Sequence, residues 1–328
     1  MDNTAAKQPR RHYGWQTELA TILKRHNERA SVRDKIVGFE TKQKRADVLY
    51  ASFNELRDLG YRMENPRNYR EKHMQVLARH WEAQGQSPST IQNKISIFRV
   101  FARWIGKDGM IKDSRAYVSA PSVVKRDQVV RVDKSWSAND IDFDRVWNSL
   151  NAYDERAGAQ LLVIRAFGLR RKEAVTFRPF IAERHGENFH DIVVEFGTKG
   201  GRPRSVPIEL EEQRFALEYA KKIAGTPMGH IGWEGLTLQQ SIWRFGNLMK
   251  KFGITKKELG VTAHGLRHEY ANDKYERHTG KPTPVRGGVK GDVEQDADKL
   301  ARQQTSEALG HSRLSITGAY CGSFRGGG

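Results

Sequence analysis

Leu309-Gly310-His311-Ser312-Arg313-Leu314-Ser315-Ile316-Thr317-Gly318-Ala319-Tyr320 places a histidine nine positions before a tyrosine, late in a chain of 328 residues. The reading of the whole sequence turns on that tyrosine. A phenol, with an ordinary pKa near 10, is a poor nucleophile unless neighbouring groups hold the reacting centre and absorb the charge that develops. Working outward, the question is whether the rest of the chain supplies such neighbours.

Three upstream stretches do. In Gly168-Leu169-Arg170-Arg171-Lys172-Glu173 a glycine ends one helix and another begins, so Arg170 is placed to offer a planar guanidinium fork to two phosphate oxygens. Glu173, at i+3 from Arg170, shares its helical face and is expected to hold the guanidinium rather than move protons. Thr198-Lys199-Gly200-Gly201 sits at an apparent hairpin tip, from which the mobile ammonium of Lys199 can reach a backbone groove. In His264-Gly265-Leu266-Arg267-His268, His264 and Arg267 share a face at i, i+3, and His268 follows at i+4. Two histidines at that spacing suit a metal, but the glutamate of an HExxH site is missing, position 267 is a cation and no thiolate is near, so no metal site is expected. Taken singly, each piece has an ordinary structural reading: a surface ion pair, a solvated turn lysine, a helix cap, a packed tyrosine. Together they gather two arginines, a lysine and two or three histidines around one nucleophile, without a carboxylate pair or cysteine framework for hydrolysis or metal chemistry.

Composition points the same way. The net charge of +17 and pI near 9.9 favour a polyanionic partner, because lysine and arginine gain by displacing counterions from a phosphate backbone. Residues 1–135 carry 27 Lys+Arg against 15 Asp+Glu (+12), and the remainder 29 against 24 (+5), so the excess lies in the N-terminal part. Cys321 is the single cysteine, which rules out an intrachain disulfide and fits a reducing compartment. Neither a secretory leader nor a run of about 18 apolar residues is present, so a soluble, intracellular protein without membrane contact is expected.

Periodicity divides the chain. Residues 1–14 are expected to be a disordered basic N-terminus. Over residues 15–106 four helices are expected: Trp15 to Leu23, Val48 to Leu59 with Gly60 behind it, Tyr69 to Trp81 stopping at Gly85, and a fourth starting at Ser87-Pro88-Ser89. In the last, Ile91, Ile95, Phe98, Ala102 and Ile105 form an apolar stripe, with Lys94, Arg99 and Arg103 off it as candidate DNA contacts. Residues 107–135 lose periodicity and read as a basic linker whose Lys125 and Arg126 are further candidates. The unit 136–328 is expected to begin with Ser137 or Asn139 capping a helix, and to continue with an amphipathic helix ending at Gly168. A hairpin of 191–196 and 204–208 follows, then a helix through Leu238 to Phe252, a Gly/Pro-rich loop Thr279 to Asp292, and a helix ending at Gly310.

The order GLRRKE, TKGG, HGLRH, LGHSRLSITGAY resembles the tyrosine recombinase (phage integrase) family, and around HGLRHEYAND the integrases of genomic islands and integrative conjugative elements. The resemblance covers about Trp136 to Tyr320, and the four-helix segment with its linker resembles the core-binding domain that precedes it. It implies a mainly α fold with a small β-sheet: a helical, SAM-like core-binding domain, then an α+β catalytic domain, the two clamping opposite sides of a duplex. Tyr320 would attack the scissile phosphate to give a 3′-phosphotyrosine. Arg170 and Arg267 would bind the non-bridging oxygens, His264 and His311 would hydrogen-bond the phosphoryl group or move protons, and Lys199 would protonate the leaving 5′-oxygen, with Glu173 and His268 in support. No cofactor is implied, and the location implied is cytoplasmic and nucleoid-associated, in a prokaryote. The partners implied are double-stranded attachment-site DNA, further copies in a homotetramer on DNA (a monomer or weak dimer off it), and accessory bending or directionality factors. Two features depart from the pattern. Arg267 and His311 are 44 positions apart, more than the family implies, and only Cys321 to Gly328 follow Tyr320, less than a tail that docks on a neighbouring subunit would need. The alternatives are a DNA-binding regulator or inactive relative, and a type IB topoisomerase-like enzyme.

Overall fold

The computed structural model describes residues 14–29, 36–186, 190–311 and 313–324 in two compact units divided between Asp127 and Gln128. That division falls inside the stretch read as a linker. The segment 1–14, expected to be a disordered basic N-terminus, lies outside the described residues apart from Gly14.

The first unit contains α1 (Gly14–His26), α2 (Phe39–Asp58), α3 (Glu71–Ala83) and α4 (Pro88–Trp104). Each turns one apolar face inward: Trp15, Leu19 and Ile22; Leu49, Phe53 and Leu56; Met74, Leu77 and Trp81; Ile91, Ile95 and Phe98 are fully or almost fully buried. Tyr69 precedes α3 rather than opening it, and its ring stacks on Phe98 with centroids 4.8 Å apart. The starts and stops follow local chemistry. Ser87 accepts from the Thr90 amide with Pro88 at the first helical position, and Gly60 takes the left-handed conformation that ends α2 (φ +89°). Residues after 106 do not hang free: Ile111, Tyr117 and Val124 pack into this same core, and Gln92 donates to the Val124 carbonyl at 2.6 Å.

In the second unit, α5 (Phe143–Tyr153) is followed by α6 (Glu155–Phe167), α7 (Arg171–Val175), α8 (Pro179–Arg184), β1 (Asp191–Val194), β2 (Arg204–Pro207), α9 (Glu211–Ala224), α10 (Leu238–Lys251), α11 (Ala263–Thr279), α12 (Gln295–Ala308) and α13 (Gly318–Cys321). Two sequence expectations change here. The cap of α5 is Asp142, which accepts from the Arg145 amide, because Ser137–Asn139 form a 3₁₀ turn closed by left-handed Asp140. And α6 is not amphipathic: Ala157 through Ile164 are buried on every side, since α5, α9 and α11 surround it. β1 and β2 pair antiparallel with Ile192 opposite Val206 and Val194 opposite Arg204, so these four side chains share the inward face.

Candidate active site

Two helix ends converge on the site. At the end of α6, Gly168 is left-handed (φ +58°), and a side chain there would meet the Tyr270 ring and Leu309. At the end of α12 the Leu309-Gly310-His311 motif closes a Schellman turn: the Gly310 amide donates to Glu307 O (2.8 Å), the His311 amide to Ser306 O (2.8 Å), and Gly310 is left-handed (φ +70°). This turn carries the His311 ring back over the site and leaves the Ala308 and Leu309 carbonyls without helical donors. Arginines take both. Arg204 Nε donates to Ala308 O (2.8 Å), while Arg170 Nη2 and Arg267 Nη2 donate to Leu309 O (3.1 and 2.7 Å). Cations at a helix C-terminus also meet its negative dipole end.

Tyr320 lies under these groups on α13, 8% exposed. Its hydroxyl is 3.2 Å from Arg267 Nε and 3.4 Å from His311 Nε2. Arg267 is wholly buried and also donates to Gly168 O through Nη1. His311 Nε2 faces Arg170 Nη2 at 3.3 Å and Arg267 Nη2 at 3.4 Å. Guanidinium nitrogens only donate, so Nε2 is the lone-pair nitrogen and the ring proton sits on Nδ1. The Tyr320 hydroxyl can then donate to the same Nε2 lone pair that the two guanidinium edges approach. The rings of His268 and His264 flank Tyr320 at 4.9 and 6.2 Å between centroids.

The electrostatics are one-sided. Arg170, Arg204 and Arg267 face one carboxylate, Glu173, which leaves two surplus positive charges. Burial alone would raise the Glu173 pKa; hydrogen bonding from Arg204 and the charges of Arg204 and Arg170 reverse this and hold it at about 2. Burial, with Arg170 and Arg204 alongside, brings Arg267 down to about 10, so it stays charged at neutral pH. His311 is lowered to about 4 by burial and by Arg267, Arg170, Arg204 and Lys199. His268 falls to about 3 by burial, then by His264 and Lys134. His264 falls to about 4 by desolvation, then by Arg267, Arg170 and Lys134. All three rings are neutral near pH 7, held so first by burial and then by the neighbouring charges.

The structure brings together Arg170, Glu173, His264, Arg267, His268, His311 and Tyr320. Lys199 stands on the exposed hairpin turn, where Gly200 and Gly201 are left-handed, and its charge reaches His311. The candidate DNA contacts of the first unit are mixed. Lys125 and Arg126 are exposed, Arg126 donating to Asn93 (3.0 Å). Arg99 donates to Lys112 O and Arg103 pairs with Asp108. Lys94 departs from expectation: it lies 4.4 Å over the Trp81 ring and 3.6 Å from Glu55, committed inside its own unit.

Two participants were not singled out in the sequence. One is Arg204, for which strand alternation with buried Val206 was the available signal. The other is Arg286 in the Gly/Pro-rich loop. It turns inward to Asp273 (2.7 Å), Glu276 (2.9 Å), Asp133 (3.0 Å) and Ser135 (3.1 Å), and the Pro284–Arg286 turn lies against Gly322, two positions after Tyr320. The Val130 amide donates to Gly318 O (2.9 Å) at the start of α13.

Two family profiles match the chain: Integrase over residues 127–273, and Phage integrase, N-terminal over residues 20–111. The first span takes in Arg170, Lys199, His264 and Arg267; His311 and Tyr320 lie beyond it. Among solved structures the fold is similar to that of a lambda integrase (75–356) dimer bound to a COC′ core site, at 15% identity over 94% of this chain and 96% of that chain, with a TM-score of 0.57. It is similar also to a lambda integrase tetramer bound to a Holliday junction (15%, 91% and 76%, TM-score 0.53). A Tn1549 transposon integrase in complex with a circular intermediate DNA gives 14%, 92% and 94%, and 0.52. No curated protein sequence matches the chain. Among the described residues no helix is long and apolar enough to cross a membrane.

Proposed function

This chain belongs to the integrase family of tyrosine recombinases, and from that premise we propose that it is a site-specific recombinase, acting on double-stranded attachment sites to integrate or excise a mobile element. The observation that carries the reading is the Tyr320 hydroxyl, held between Arg267 Nε (3.2 Å) and the His311 lone pair (3.4 Å) in a site with two uncompensated positive charges. A hydrolase would need an activated water. This site instead presents a side-chain oxygen, a base for its proton, and cations for a phosphoryl group.

In the proposed step Tyr320 Oη attacks phosphorus and gives its proton to His311 Nε2. Arg170 and Arg267 take the two non-bridging oxygens, where charge builds in the transition state, and each such donor contributes about 3 kcal/mol. His264, at the exposed end of α11, hydrogen-bonds the same group. The P–O5′ bond breaks, and Lys199 protonates the departing 5′-oxygen. The product is a 3′-phosphotyrosine and a free 5′-hydroxyl. The phosphotyrosine conserves the bond energy, so a second strand's 5′-hydroxyl can reverse the step without a nucleotide cofactor. Lambda integrase forms a tetramer on a Holliday junction; the same assembly is proposed for this chain on its own DNA, with a monomer or weak dimer away from it. The location proposed is the prokaryotic cytoplasm, at the nucleoid.

The test is a covalent one. The protein is incubated with a pool of random-sequence nicked duplexes, denatured, and the DNA that remains attached is sequenced. A recurring site linked through its 3′ end, and absent with Tyr320→Phe, is the expected result. A Tyr320→Phe chain that still forms the adduct would overturn the nucleophile assignment, and an intact chain that binds duplex but never links to it would favour a binding protein.

A further inference from the structure

We propose that Arg204 is a positioning residue for phosphoryl transfer: from beneath the site it fixes the Glu173 carboxylate and so aims Arg170. The inference rests on the recombinase reading above. Its geometry is closed on every side. Arg204 is buried, and all three of its nitrogens are engaged: Nη1 with Glu173 Oε1 (2.7 Å), Nη2 with Glu173 Oε2 (2.8 Å) and Nε with the Ala308 carbonyl (2.8 Å). Gly310 has no side chain where Arg204 passes; a Cβ there would stand 2.8 Å from Arg204 Cδ.

Glu173 links the two arginines. It is fully buried, and each of its oxygens accepts twice. Oε1 takes Arg170 Nη1 and Arg204 Nη1; Oε2 takes the Arg170 amide and Arg204 Nη2, all at 2.7–2.8 Å. A buried carboxylate with only Arg170 as partner would draw that guanidinium fully into an ion pair and neutralise it. With Arg204 sharing the carboxylate, Arg170 is held by one edge only, and its Nη2 edge stays turned towards Leu309 O and His311. Arg204 thus supplies one of the site's two surplus charges and sets the direction of Arg170 without occupying the substrate face itself. The same hairpin carries Lys199 on its turn, so anchoring β2 at its base also ties the lysine to the arginines.

Lysine at 204 keeps the charge, but one ammonium cannot bridge both carboxylate oxygens and reach Ala308. Arg204→Lys, Glu173→Gln and the double variant are compared with wild type on the duplex recovered above. Three quantities are read: the single-turnover rate of adduct formation, duplex affinity and melting temperature. Arg204→Lys is expected to slow adduct formation by about 10- to 100-fold, as loss of an orienting partner typically does, with duplex affinity within about threefold. The double variant is expected to be no slower than the slower single, because both changes cut the same link. Where Arg204→Lys lowers the melting temperature sharply, Glu173→Gln, which removes the charge that Arg204 holds but keeps its shape, reads the link in its place. A wild-type rate in Arg204→Lys, affinity falling in step with rate, or multiplying effects in the double variant would each overturn the inference while the recombinase reading stands. Absence of an adduct from wild type would remove that reading and this inference together.

Discussion

Arg267→Lys separates the two duties of the most deeply placed cation. Arg267 is wholly buried and spends its nitrogens on Gly168 O, Leu309 O (2.7 Å) and the Tyr320 hydroxyl (3.2 Å). A lysine keeps the charge but brings its donors to one nitrogen, which cannot serve carbonyls on two sides of the fork. Leu309 O retains Arg170, whereas Gly168 O loses its guanidinium donor. A buried carbonyl without a donor costs about 1–3 kcal/mol, and the lost charge-assisted bond brings the total to about 3 kcal/mol. In a unit of this size that is about 6–12 °C of melting temperature. The adduct rate should fall by about 10²–10³ as well, since the oxygen-facing donor and the phenol contact go together. Arg170→Lys is the contrast: Arg170 is partly exposed and its carboxylate keeps Arg204, so the rate should fall comparably with a smaller loss of stability. Thermal denaturation and adduct formation on the same preparations read both. An Arg267→Lys chain that melts within about 2 °C of wild type would refute the reasoning about the Gly168 carbonyl.

Gly168→Ala forces a left-handed backbone on a residue with a Cβ and drives that carbon to 2.5 Å from the Tyr270 ring. A loss of about 2–4 kcal/mol in chemical denaturation is expected, and a neutral result would show that Tyr270 can move aside. His268 is almost fully buried with a pKa near 3, against 6.5 for a free histidine. Below pH 6.5 the unfolded chain takes up a proton that the folded chain refuses, so the stability held by neutral His268 is complete above 6.5 and falls by about 1.4 kcal/mol per pH unit towards pH 3. His268→Gln should flatten the acid limb of melting temperature against pH, and parallel limbs would place the titration elsewhere. Replacing Lys125 and Arg126 by Gln should lower the salt slope of duplex binding by up to about 2; an unchanged slope would remove both from the DNA surface.

Most of the helical framework could be read in advance, because its determinants are local. Helical spacing marks the inward faces of α1 to α4, Ser87-Pro88 starts α4, and the glycines at 60, 85 and 310 end helices by their handedness. The chemistry-bearing residues were legible for a different reason. GLRRKE, HGLRH and the LGH turn each sit at a helix end, where side-chain direction follows from short-range geometry. What the sequence withheld depends on distant partners. Glu173 and Arg204 are 31 positions apart and meet only because the hairpin folds against α12. Lys94 reads as a solvated cation until α2 and α3 bring Glu55 and Trp81 beneath it. Arg286, in the Gly/Pro-rich loop, finds part of its counter-charge at Asp133, 153 positions upstream.

The bond from Val130 to Gly318 has a mechanical consequence. Gly318 lies two positions before Tyr320, and Val130 lies just inside the second unit, in a stretch that Arg286 also fastens through Asp133 and Ser135. A shift of the backbone at Val130 is therefore passed by one main-chain bond to the turn that carries Tyr320. Residues 130 and 318, far apart in sequence, are thereby tied, and the stretch 130–135 is fastened both to the α13 turn and to the Arg286 loop.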